Sequence, residues 1–123
     1  MSQFTSFSTA ETNPELDIVQ DVSPDEVNAK ATDLTIVDVR TSEEYTGELG
    51  HIAGSQLVTL DTLMDHIDNI PKEKTVVFIC RSGRRSANAT AIAKDNGFES
   101  VYNMKGGMML WNEMGLATEG KNS

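Results

Sequence analysis

Five consecutive residues, Thr75-Val76-Val77-Phe78-Ile79, form an apolar, β-branched run that never alternates with polar positions. A strand with one face in water alternates. A strand without alternation is buried on both faces, and such strands belong to parallel sheets covered by helices on each side. Pro71 lies before the run and a glycine-bearing turn after it, so its length suits a strand and is too short for a buried helix. The run therefore calls for a layered α/β architecture, with Cys80 at the strand's carboxyl end.

The rest of the chain divides into segments that suit this architecture. Ile18 to Val22 reads as a short strand. Ser23-Pro24-Asp25-Glu26 then has capping-box spacing with proline at the first helical position, predicting a short helix to about Ala31. Thr35 to Val39 is a second central strand, and Thr41-Ser42-Glu43-Glu44-Tyr45 opens a helix with acidic residues in its first turn. Gly50 to Gly54 is a turn, and Leu57 to Leu60 a third strand. From Asp61, Leu63, Met64, Ile67 and Ile70 recur at helical spacing. Ser86 to Asn96 is an Ala-rich helix, with Ser86 as N-cap, Gly97 as its stop, and Ala87 and Ala91 small enough to let it pack closely. Ser100 to Asn103 is expected as a last edge strand. A closing helix carries Met108, Met109, Trp111 and Met114 to the core.

Strands alternating with helices imply a central parallel sheet of about five strands with helices on both faces. In such sheets ligands sit beyond the carboxyl ends of the strands, which is where Cys80 falls. With 123 residues, the chain is one domain's worth. The expected organisation is a flexible tail over 1–16, one domain over 17–119 and a C-terminal tail over 120–123. The tail lacks the positive region and apolar core of a secretory signal, and no run approaches the length that spans a bilayer. A cytoplasmic protein with no membrane partner is expected. The net charge of −9 argues against nucleic acid, which calls for a basic stripe. One cysteine forms no internal disulfide, and His51 and His66 with Cys80 do not reproduce a metal-ligand spacing, so no zinc site is expected.

Against this acidic background Arg81, Arg84 and Arg85 crowd one loop, and Arg40 is the only other arginine. A strand end, a glycine-bearing loop and a helix start form an anion cradle of backbone N–H groups backed by the helix dipole. The dipole contributes about 0.3–1 kcal/mol, less than the roughly 1.4 kcal/mol of a single pKa unit. Ionising a thiol near neutral pH therefore needs the guanidinium and N–H groups as well. A lone cysteine at a strand end is more often a small buried hydrophobe. The combination of strand, cysteine, small residues, clustered arginines and helix points instead to a reactive thiolate that accepts an anionic substrate. Cys80 is the candidate nucleophile, and Arg81, Ser82, Gly83, Arg84, Arg85 and Ser86 are the candidate substrate-binding residues.

Asp38, Arg40 and Glu44 place carboxylates beside an arginine, which invites an acid–base role. An ion pair tying the strand end to the following helix is the reading preferred here.

The cysteine loop Cys80-Arg81-Ser82-Gly83-Arg84-Arg85-Ser86 resembles the active-site loop of the rhodanese family of sulfurtransferases. Val37-Asp38-Val39-Arg40 with Glu44-Tyr45, Gly50-His51-Ile52-Ala53-Gly54-Ser55, Gly106-Gly107, Trp111 and Gly115-Leu116 occur in that family's order. The likeness runs from about Asp17 to Ala117. Ala53 and Ala117 stand where proline is common in the family, which bears on turn rigidity. The resemblance implies a rhodanese-like fold and a structural role near the site for Asp38, Arg40 and Glu44.

It also implies sulfur transfer from a donor such as thiosulfate, through a Cys80 persulfide, to cyanide or a thiol, without a metal or organic cofactor. A protein could be the sulfur acceptor. Phosphatases and arsenate reductases of this fold form the alternative reading. Their cysteine loop is one residue longer, with arginine six positions after the cysteine; position 86 here is serine. The tighter loop should suit a single sulfur better than a tetrahedral oxyanion. A non-catalytic interaction module or sulfur-relay carrier is the third reading.

Overall fold

The computed structural model describes residues 4–120. The strands are β1 (Glu11–Thr12), β2 (Gln20–Val22), β3 (Leu34–Asp38), β4 (Gln56–Leu57), β5 (Thr75–Ile79) and β6 (Val101–Met104). The α-helices are α1 (Pro24–Ala29), α2 (Ser42–Tyr45), α3 (Leu63–His66), α4 (Arg84–Asp95) and α5 (Gly107–Glu113). The strands form one six-stranded sheet in the order β1-β2-β6-β5-β3-β4. All pairings are parallel except that of β1 with β2.

Every residue of β3 and of β5 is buried, as mostly apolar strands without alternation require. Successive side chains of β5 enter opposite layers. Val76, Phe78 and Cys80 join Leu63, Ile67, Ala89 and Ala93 on one face. Val77 and Ile79 join Val27, Met104, Met108 and Trp111 on the other. The period of two therefore places the cysteine on the α4 side, beneath that helix's first turn.

Several expectations change. The Ser100 strand is not at an edge: β6 lies between β2 and β5. The edge is taken by β1, drawn from the segment expected to be a tail. That segment lies along the domain, with Phe7 buried, its ring edge-on to Tyr102 at 4.9 Å, and the Thr5 N–H donating to Thr75 Oγ1 at 2.6 Å. Two phenylalanines in a polar stretch carried too little periodicity to show this packing, yet burying one such ring contributes about 1.5–3 kcal/mol. The ends, 1–3 and 121–123, lie outside the described residues.

The expected capping box at Ser23 and Glu26 does not form. Ser23 Oγ donates to Asp25, while the Glu26 carboxylate accepts from Ser8 and Thr9. A complete capping box occurs instead at Thr41 and Glu44. The helix expected from Asp61 breaks into 3-10, α and 3-10 turns, and Met64 on it is exposed. Met109 and Met114 are exposed too, so only Met108 and Trp111 of the closing set reach the core. On α4, Ala87, Ala89 and Ala93 are the buried alanines, and Ala91 is half-exposed. Gly97 is left-handed at φ 89°, as a helix-ending glycine should be. No helix among the described residues is long and apolar enough to cross a membrane.

Candidate active site

Cys80 follows β5 directly and is 1% exposed. Its sulfur is packed in the core, but polar groups also face it. The Gly83 N–H donates to Sγ at 3.1 Å and the Ser86 hydroxyl lies 3.2 Å from Sγ. The chain turns back to make the first contact because Gly83 adopts φ 100°, a conformation that costs a residue with a Cβ but not glycine. Gly83, rather than Ser86, is the N-cap of α4. Ser86 sits within the first turn, fully buried, and its hydroxyl turns inward to the sulfur and to Asn103.

The loop is fastened from behind by α5. The N–H groups of Met108 and Met109 donate to the carbonyls of Cys80 and Arg81 at 2.8 and 3.0 Å. Gly107 makes this approach possible. A Cβ at that position would fall 2.5 Å from the Arg81 carbonyl carbon and oxygen and from the Cys80 oxygen, and its φ is +58°.

The three loop arginines part company. Arg81 is exposed and its Nη1 rests 3.5 Å from Met109 Sδ. The Arg84 side chain is 80% exposed and 3.7 Å from Glu15. Arg85 interacts electrostatically with Cys80, and it is held by Glu44 in a bidentate pair, Nη1 to Oε1 at 2.7 Å and Nη2 to Oε2 at 2.8 Å. The Arg85 hydrogen bonds hold the Glu44 carboxyl at a pKa of about 2, and the same hydrogen bonds, with the Glu44 charge, raise that of Arg85 in return. Ser82 is exposed and lines, with Gly83 and Arg84, a cleft of about 560 Å³ walled by Glu11 to Leu16. Cys80 is not in its lining. A second groove, of about 250 Å³, runs between Arg81 and Glu43, Glu44 and Glu48, from α2 and the turn that follows it.

Asp38 and Arg40 form a fully buried ion pair. Arg40 Nε and Nη2 donate to the Asp38 carboxylate at 2.9 and 2.8 Å, Nη1 to the Glu44 carbonyl at 3.1 Å, and Nη2 to the Gly50 carbonyl at 2.7 Å. The pair ties the end of β3 to α2 and the turn at Gly50. Glu44 joins it only through its backbone oxygen, because its carboxylate serves Arg85 and Thr41.

Two residues that the sequence reading took only as strand positions belong to this site. Asn103 of β6 is 1% exposed. Its Oδ1 accepts from the Ser86 hydroxyl at 2.5 Å, and its Nδ2 donates to the Gly83 carbonyl at 3.1 Å and to Asp21 Oδ1 at 2.9 Å. Asp21 is 5% exposed and also accepts from Asn13 Nδ2 at 3.0 Å. The available signal was an amide between Tyr102 and Met104 in a strand, since a buried amide must find partners. The partners themselves lie far away in sequence.

Residues 23–114 match the family model described as the rhodanese-like domain. The chain is similar to a sulfurtransferase of Allochromatium vinosum, 34% identical over 72% of this chain and 80% of that protein. It is also similar to the thiosulfate sulfurtransferase GlpE of Pseudomonas paraeruginosa, 30% identical over 77% of this chain and 86% of that protein. Among solved structures, a rhodanese-like domain protein from Staphylococcus aureus aligns with TM-score 0.69 and 31% identity, covering 80% of this chain and 97% of that one. A Rhodopseudomonas palustris protein described as a possible tyrosine phosphatase aligns with TM-score 0.74 and 28% identity, over 83% and 86% of the two chains.

Proposed function

We propose that this chain, which belongs to the rhodanese-like domain family, moves a sulfane sulfur from a donor such as thiosulfate to a thiophilic acceptor through a persulfide on Cys80. The observation that carries the reading is the sulfur at a strand tip, met by the Gly83 N–H and the Ser86 hydroxyl under the first turn of α4. Both are donors to a thiolate, and the helix N-terminus adds positive potential.

In the first step the Cys80 thiolate attacks the outer sulfur of thiosulfate. A sulfur–sulfur bond forms to Cys80, the bond to the sulfonate sulfur breaks, and its electron pair leaves with sulfite. The persulfide anion keeps the charge that the thiolate brought. In the second step cyanide or a thiolate takes the outer sulfur and returns Cys80 as thiolate. Arg85 supplies the positive charge felt at the site, while Arg81, exposed at the groove, is placed to meet an incoming anion. Ser82 and Arg84 border the opposite cleft and contribute through the loop backbone. A small thiol or a protein thiol would be the acceptor in the cell. A chain whose one cysteine must stay reduced to work suits the cytoplasm.

The likeness to a possible tyrosine phosphatase keeps phosphoryl chemistry as a second reading. Against it, Ser86 occupies the position after Arg85, and its hydroxyl closes on the sulfur at 3.2 Å, which leaves a small cradle. Intact-protein mass spectrometry after incubation with thiosulfate decides between them. One added sulfur, removable by a reductant and absent in Cys80→Ser, is the expected result. Turnover of an aryl phosphate with no sulfur uptake would reverse the assignment.

A further inference from the structure

We propose that Asp21 is a positioning residue for Cys80: through Asn103 it orients both groups that touch the sulfur, the Gly83 backbone with its N–H and the Ser86 hydroxyl. The inference rests on Cys80 being the reactive group. Its support is a directed chain of hydrogen bonds in which each amide has only one workable orientation.

The chain begins at the surface segment. Asn13 Oδ1 accepts from the backbone N–H groups of Glu15 and Leu16 at 2.9 and 3.0 Å, so its Nδ2 must face Asp21, to which it donates at 3.0 Å. The Asp21 carboxylate is acceptor only. It therefore takes the Nδ2 of Asn103, at 2.9 Å, and forces the Oδ1 of that amide toward Ser86. The second Nδ2 proton goes to the carbonyl of Gly83, at 3.1 Å, whose own N–H reaches the sulfur. Turning the Asn103 amide over would set its oxygen against the Asp21 carboxylate and the Gly83 carbonyl together. Asp21 thereby decides which way Asn103 points, and Asn103 holds the two donors.

Ser86 has one hydroxyl proton and two claimants, Asn103 Oδ1 at 2.5 Å and Cys80 Sγ at 3.2 Å. With a neutral thiol the proton lies toward Asn103, and the S–H can donate to the hydroxyl oxygen. With a thiolate the hydroxyl rotates to donate to sulfur. No proton changes owner in this rotation, and the acceptor at Asn103 keeps the hydroxyl in line for it.

The test is the pH midpoint of thiolate formation, read by ultraviolet absorbance against a Cys80→Ser blank in the full chain. Since the chain has one cysteine, the signal belongs to Cys80. Arg85 of α4 with its partner Glu44 and the Asp38–Arg40 pair at the end of β3 stay in place in every variant, and the Asp21 charge is lost alike in Asp21→Ala and Asp21→Asn, so the difference between those two reads the acceptor and not the charge. Asp21→Ala and Asn103→Ala should each raise the midpoint by about half a unit or more, because the Gly83 N–H and the Ser86 hydroxyl are then no longer held on the sulfur, and losing two aimed donors outweighs freeing the Ser86 proton from its competing acceptor. Asp21→Asn keeps an oxygen acceptor and should stay near the wild type. The double variant Asp21→Ala/Asn103→Ala should shift no further than Asn103→Ala, because the two residues act in series.

The proposal is overturned if Asp21→Ala leaves the midpoint unmoved, if Asp21→Asn shifts it as far as Asp21→Ala, or if the two shifts add. Should Asp21→Ala fail to fold, Asn13→Ala removes one donor from the same carboxylate at the surface. It should move the midpoint the same way by less, and no movement there overturns the proposal. The measurement needs no sulfur donor, so variants that shift as expected in a protein that takes up no sulfur would reject the sulfurtransferase reading alone.

Discussion

Glu44 and Arg85 close on each other through two parallel hydrogen bonds, 2.7 and 2.8 Å long, so an arginine that interacts with Cys80 is already neutralised in part by a carboxylate from a different helix. Such fork-to-fork pairs are geometrically exacting. This one fixes where the guanidinium stands and leaves less of its charge for an incoming anion. Glu44→Gln should release that charge. The KM for thiosulfate should fall by about threefold, the scale of a partly screened charge at the site. Steady-state kinetics at low ionic strength will show it, and added salt should shrink the difference.

Acid should weaken the fold through the same carboxylate. Glu44 titrates near 2 in the folded chain, against an ordinary value of 4.5, because Arg85 and Thr41 donate to it. Glu26 also lies far below its ordinary value: burial pushes it up, but hydrogen bonds from Thr9, Ser8 and Lys30 outweigh that. A carboxylate depressed in the fold contributes stability in full above its unfolded value and loses it as pH drops toward the folded one. Urea midpoints should therefore hold down to about pH 5 and decline from there toward pH 2. Glu44→Gln should flatten the decline, and an unchanged slope in that variant would remove this explanation.

Gly107→Ala should damage the site more than any surface change. The new Cβ would strike the Cys80 and Arg81 carbonyls at 2.5 Å, and left-handed backbone adds strain. Either α5 or the loop must shift, breaking the bonds from Met108 and Met109. Sulfur uptake should fall at least about tenfold, since small displacements of reacting groups are costly. Far-ultraviolet circular dichroism should remain close to wild type, separating a displaced loop from an unfolded chain.

Asp38→Ala should be a stability variant first. It strands the Arg40 guanidinium, 1% exposed, with only the Glu44 and Gly50 carbonyls as partners. Removing one member of a buried pair costs about 3–5 kcal/mol. Urea denaturation should register a loss of that size. The same loss with the turn at Gly50 loosened should raise hydrogen exchange across residues 44–55.

Much of this molecule was legible from local sequence. The apolar run of β5 and the largely apolar β3 call for burial on both faces wherever they sit, and a cysteine directly after such a run must lie at the carboxyl edge of a sheet. Glycines at 83 and 97 mark where the chain turns out of a strand and out of a helix through left-handed conformations that a Cβ disfavours. Those are properties of a few adjacent residues, and adjacent residues suffice to read them.

What the tertiary structure decided is partnership. Three arginines in one loop look equivalent in a string of letters, yet only Arg85 meets Glu44, 41 positions away, while Arg81 and Arg84 face solvent. Asn103 acquires Asp21 across 82 positions because β2 and β6 pair side by side, and nothing in either segment announces that neighbour. Hydrogen bonds act over a few ångströms of space and carry no mark of separation along the chain. The sequence thus determined that a sulfur would stand at a strand tip; the fold alone chose which side chains surround it.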